Sequence, residues 1–129
     1  MKFSLAVIGL YKPDNVYKKL RRSDYQPQED VIVPKYTNVV RFKVKANQQA
    51  AFESLFQESD KWDGMLLHVL AKTGDSTYVA YGLWESEEKM QTAMPEMISL
   101  LDRSRHLLDE LSSELGVTDP VSGSVVFEA

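Results

Sequence analysis

Val40, Phe42 and Val44 alternate with Arg41, Lys43 and Lys45, the period of two that gives a β-strand one apolar face. Asn47 follows at an expected N-cap position, and Ala51, Phe52, Leu55, Phe56 and Ser59 then recur at helical spacing, which predicts a short amphipathic helix. Asp63-Gly64 punctuates its end, and MLLHVLAK from Met65 reads as a second strand. Thr73-Gly74-Asp75-Ser76 reads as a hairpin connection, with Gly74 free to take positive φ. It leads into TYVAYGLW, where Thr77, Val79, Tyr81 and Leu83 share one face and Tyr78, Ala80, Gly82 and Trp84 the other. Both faces are largely apolar, so both are expected to be covered. Helices of one domain reach one of them, and a second copy of the chain is the simplest cover for the other.

Ser86 stands as the N-cap of the next helix, with Glu87 and Glu88 in the first turn where the helix dipole favours negative charge. Pro95 breaks that helix and opens another as its first residue. Met97, Leu101, Ser104, Leu108, Leu111 and Leu115 stay on one stripe at about 100° per residue, which predicts a helix running to Leu115 with Gly116 as its C-terminal stop. VSGSVVFE, after Asp119-Pro120, reads as the last strand. The order from residue 37 to 129 is therefore βαββαβ, an α+β ferredoxin-like domain built of two similar halves. Residues 1–36 differ in character, with a strand expected over 3–11, a basic cluster over 18–22, and Pro27 and Pro34 in a polar passage. They read as an N-terminal extension or arm.

At 129 residues and 43% hydrophobic, the chain can bury one core. A net charge of -4 argues against a nucleic-acid partner. Without cysteine there is no disulfide, thiolate metal site or cysteine nucleophile, and His68 and His106 are the two imidazoles. The opening MKFSLAVIGLY has no small-residue cleavage pattern after it and is too short to span a bilayer, so a cytoplasmic protein without a membrane partner is expected. No Gly-rich phosphate loop, nucleophile elbow or paired-histidine spacing is present, and neither a metal nor a bound cofactor is expected.

The stretch Leu83-Trp84-Glu85-Ser86-Glu87-Glu88, in which an apolar strand ends in Trp and passes through Ser into a Glu-rich helix, resembles the dimeric α+β barrel superfamily. Within it the antibiotic biosynthesis monooxygenase-like domains are most similar. Trp62-Asp63-Gly64 resembles the glycine-containing turn before their second strand, and the resemblance covers about Thr37 to Ala129. It implies a homodimer whose sheets face each other, with a pocket between helices and sheet in each subunit. Members oxygenate polyketide-derived aromatics without metal or prosthetic group, degrade haem, isomerise lactones, or have no established activity, and fold alone does not choose among these. Haem degraders use an Asn on the first strand, which Asn38 could match. The positions aligned with their Trp and His, nine and nineteen residues past Trp84, hold Ala93 and Arg103.

Against that background His68 is the leading base, because it alternates with Leu66 and Leu70 on a strand and a partly buried neutral imidazole can take a proton near pH 7. Tyr81 and Asn38 are the candidate hydrogen-bonding partners in catalysis. Tyr78, Trp84 and Met94 are candidates for lining an aromatic-binding pocket, with core and interface filling as the structural alternative. Arg41 could hold an anionic substrate group, or pair with a carboxylate such as Glu85 or Glu128 if its face meets another subunit. His106 falls opposite the apolar stripe and reads as a surface residue. The resemblance implies cofactor-independent oxygenation of a small aromatic or polycyclic molecule. The alternative is a non-catalytic small-ligand-binding or stress-response protein of the same fold.

Overall fold

The computed structural model describes residues 32–59 and 61–129, so the strand expected over 3–11, the basic cluster over 18–22 and Pro27 lie outside it. Residues Val33–Ala129 form one compact unit. Strand β1 (Tyr36–Val44) leads to helix α1 (Gln49–Gln57), then strands β2 (Met65–Lys72) and β3 (Thr77–Trp84), helices α2 (Glu87–Thr92) and α3 (Met94–Ser104), and strands β4 (Leu108–Asp109) and β5 (Asp119–Ser124). The sheet is antiparallel, in the order β2-β3-β1-β4, with β5 pairing the other end of the same edge of β1. This is the ferredoxin-like arrangement, its fourth strand divided into two short pieces.

Alternation decides which side chains meet the helices. Val40, Phe42 and Val44 of β1 and Tyr78, Ala80 and Trp84 of β3 point to one face, where Phe52 of α1 is fully buried. Phe42 meets Phe52 edge-on at 5.3 Å between ring centroids, and Phe52 meets Tyr78 at 5.1 Å. A second cluster joins Met65, Trp84, Met90 and Ala93 beneath α2 and α3. The opposite face carries Val39, Tyr81 and Val69 in one cross-strand row, with Leu67 and Leu83 beside them. Leu67 and Val69 are exposed, as is Val121 of β5.

The Ser86 cap is present, its Oγ accepting from the Lys89 backbone N–H at 3.2 Å. The helix also breaks before Pro95, which occupies the first turn of α3. Five local expectations are corrected. Asn47 is not the N-cap of α1. It takes φ 66°, a left-handed conformation that Asn tolerates, and Gln48 precedes the helix without a side-chain cap. Gly74 is not left-handed. A Cβ there would come 2.6 Å from Thr77 Oγ1, so the Thr77 hydroxyl would have to turn away.

The helix expected from Pro95 to Leu115 stops at Ser104, whose hydroxyl donates to the Leu101 carbonyl, and a 3-10 turn over Arg105–Leu107 follows. Leu107 and Leu108 are both buried in the Phe42 cluster. Extended backbone at Leu108 lets these two neighbours reach that cluster while Lys45 N–H takes the Leu107 carbonyl at 2.8 Å. Gly116, at φ 73°, closes a turn bridged to Ser112 rather than ending the helix. The last strand begins at Asp119 and ends at Ser124, earlier than expected, because Pro120 is tolerated on an edge strand.

Candidate functional site

Four strands supply one row across the helix-covered face. Asn38 of β1 lies opposite Gly82 of β3 on one side and Ser122 of β5 on the other, and Gly82 lies opposite His68 of β2. Two strand spacings separate His68 from Asn38, roughly 10 Å between Cα positions. A β-bulge makes the row usable. Met65 and His68 are three residues apart, and strict alternation would put them on opposite faces. The register shift between Met65 and Leu67 inserts Leu66 as an extra residue, so Met65 and His68 both face the helices.

Above this row is a largely apolar cavity of about 400 Å³. Met90, Met94, Met97 and Ile98 wall it from α2 and α3, Trp62 and Phe56 close the His68 end, and Thr118, Pro120 and Ser122 border the other. The volume suits a ligand of a few rings. The methionine cluster supplies an adaptable wall at the helix break.

His68 is half-buried between two aromatic rings, 5.6 Å from Trp62 and 5.5 Å from Phe56 between centroids. Burial there lowers its pKa below the ordinary 6.5, which keeps the imidazole neutral and able to accept a proton at pH 7. Trp62 lies parallel to Trp84 at 6.3 Å. Asn38 Oδ1 accepts a hydrogen bond from Trp84 Nε1 at 2.8 Å, and Asn38 Nδ2 is 3.7 Å from Met97 Sδ. The bond crosses over Gly82, where a Cβ would stand 2.5 Å from Asn38 Oδ1 and 2.9 Å from Trp84 Nε1.

A second, more polar cavity of about 440 Å³ adjoins on the far side of His68, bordered by Glu53, Gln57, Lys72 and Tyr78. Tyr78 donates to Glu53 Oε2 at 2.6 Å. Desolvation of the phenol, reinforced by the hydrogen bond to Glu53 and by its negative charge, pushes the Tyr78 pKa up to about 12. Among the described residues no three His, Asp or Glu side chains gather into a group that could hold a metal ion, and no helix is long and apolar enough to cross a membrane.

The structure brings Asn38, His68 and Met94 to one cavity. Trp84 is fully buried behind it, reaching the cavity through Asn38 and Trp62, and the Tyr78 ring is buried in the Phe52 cluster. Tyr81 borders the cavity, yet its register with Val39 and Val69 directs its side chain to the opposite face. Arg41 lies on that opposite face too, bound to Asp119 at 2.6 Å, while Glu128 pairs with Lys35. His106 is exposed in the 3-10 turn. The sequence reading missed Trp62, Met65 and Ser122 as cavity residues. The one local signal was Gly82, a residue without a side chain set between Tyr81 and Leu83 in a strand.

No family model matches the sequence, and no curated protein matches it. Among solved structures, SnoaB, a cofactor-independent oxygenase from Streptomyces nogalater, superimposes with a TM-score of 0.59 at 20% identity over 74% of this chain and 97% of that one. A candidate antibiotic biosynthesis monooxygenase from Chloroflexus aurantiacus J-10-fl gives a TM-score of 0.59 at 15% identity, over 74% of this chain and 96% of that one. A dimeric ferredoxin-like protein from an uncultured marine organism gives 0.58 at 16% identity, over 79% and 96%. The chain has the α+β ferredoxin-like fold of the antibiotic biosynthesis monooxygenase-like dimeric α+β barrel proteins.

Proposed function

We propose that this protein oxygenates a small aromatic or polycyclic molecule without a bound cofactor, acting as a homodimer through the open face of its sheet. The observation that carries this is the placement of a neutral, half-buried His68 and the Asn38 amide on one apolar cavity of about 400 Å³. An apolar cavity with three uncharged polar side chains at its floor, His68, Asn38 and Ser122, suits a flat, poorly soluble ligand better than a charged metabolite. The likeness to a cofactor-independent oxygenase agrees with it.

His68 takes a proton from an acidic carbon flanked by aromatic rings, and Asn38 donates to the oxygen on which the negative charge gathers. The carbanion gives its electrons to O₂. For an anthrone, the CH₂ becomes a carbonyl, with one oxygen atom entering the product and the other leaving as water. The open face supports the homodimer, because Leu67, Val69 and Val121 are exposed there and one structural neighbour is itself described as dimeric.

The test is oxygen uptake with 1,8-dihydroxyanthrone by native protein and by His68→Ala. Native protein is expected to consume oxygen and the variant to lose about a hundredfold in rate or more. Equal rates in the two contradict the role of His68, and no uptake in either contradicts the oxygenase reading for this substrate.

A further inference from the structure

Trp84 is fully buried and its indole N–H can only donate, so the atom it meets on Asn38 at 2.8 Å must be the amide oxygen. That contact fixes which way the amide faces. Its oxygen is committed to Trp84, and its NH₂ is left toward Met97, whose thioether sulfur at 3.7 Å is a weak acceptor. Gly82 is what permits the arrangement, since a Cβ at that position would displace both partners of the bond.

From this geometry we infer that Trp84 and Gly82 are positioning residues that make Asn38 a dedicated hydrogen-bond donor, so that the cavity selects ligands carrying an acceptor oxygen, a carbonyl or its enolate. The inference rests on the reading that the cavity takes a ligand, and it requires no oxygen chemistry. A donor-bearing ligand of the same shape gains little at Asn38, because Trp84 holds one lone pair of the amide oxygen and that oxygen lies against the Gly82 backbone, 2.5 Å from where a Cβ would stand. One uncharged hydrogen bond in apolar surroundings is worth about tenfold in affinity.

Three planar tricyclic probes of nearly equal shape separate the outcomes: 9-fluorenone carries an acceptor, carbazole a donor, and fluorene neither. Affinities are read by quenching of the native tryptophan fluorescence, and the fluorenone carbonyl stretch by infrared spectroscopy. Native protein is expected to prefer fluorenone to fluorene about tenfold and to lower the carbonyl stretch below its value in hydrocarbon solvent, while any gain for carbazole lies at the neutral His68 imidazole and is lost in His68→Ala. Asn38→Leu should lose the preference for fluorenone over fluorene. Trp84→Phe frees the amide to turn over, so fluorenone should weaken while carbazole tightens.

Equal native affinity for fluorenone and fluorene with an unshifted stretch overturns the inference and leaves the cavity reading standing. Native protein that binds none of the three contradicts both. A Trp84→Phe protein that weakens all three equally reports lost packing and overturns the positioning role. If that variant does not fold, the infrared shift and the probe preference of native protein decide.

Discussion

The two faces of the sheet are made from the same strands and teach different things. On the covered face, Tyr78, Ala80, Gly82 and Trp84 of β3 are all buried, yet they differ greatly in size, and that unevenness makes room for Asn38 to cross β3. On the open face, Val79, Tyr81 and Leu83 are only partly buried and of more even bulk, beside exposed Leu67 and Val69. A packed face with a gap can enclose a ligand. An even apolar face is suited to meeting another like it.

The largest contrast should come from truncation in the covered core. Phe52→Ala is expected to cost about 3–5 kcal/mol in urea unfolding, whereas Val69→Ala on the open face, measured on isolated chains, should cost less than about 1 kcal/mol. Similar costs at the two positions would break the contrast. Next is association: Val69→Glu places like charges against each other in the proposed dimer and should weaken it by about 3 kcal/mol, roughly a hundredfold. Sedimentation should then show one chain where native protein shows two, and native protein that already sediments as one chain contradicts the pairing.

A smaller effect tests the edge of the covered core. Tyr78→Phe removes the bond to Glu53 and should cost about 1 kcal/mol near neutral pH. The native phenol has its pKa raised from the ordinary 10.0 to about 12, so its contribution is complete below pH 10 and is lost as pH rises through about 12. The Phe variant should lack that alkaline decline. The smallest effect concerns His68, whose pKa is lowered by burial: the folded protein binds a proton less readily than the unfolded chain, so stability is complete above pH 6.5 and falls as pH drops through the depressed value. His68→Gln should flatten this part of the stability profile, as read by thermal unfolding.

Much of the fold was legible because it rests on local rules. The alternation in β1 and β3, the Ser86 cap and the break before Pro95 each depend on a few neighbouring residues. The second half was harder. Met97, Leu101, Ser104, Leu108, Leu111 and Leu115 satisfy a helical stripe, and only the tertiary contact of Leu107 and Leu108 with the Phe42 cluster turns the chain out of the helix. At the site, His68, Asn38 and Met94 could be nominated from residue type and position. That Met65 joins them depends on a bulge set by strand pairing, and that Arg41 and the Tyr81 side chain do not depends on register, neither of which a single strand reveals.

The most direct test of the central claim, that His68 takes a proton from a ligand held in the covered cavity, leaves oxygen out. Under anaerobic conditions in D₂O, exchange of the acidic methylene protons of 1,8-dihydroxyanthrone can be followed by NMR with native protein and with His68→Ala. The account predicts exchange at least about a hundredfold faster with native protein. Equal exchange with the two proteins would contradict it.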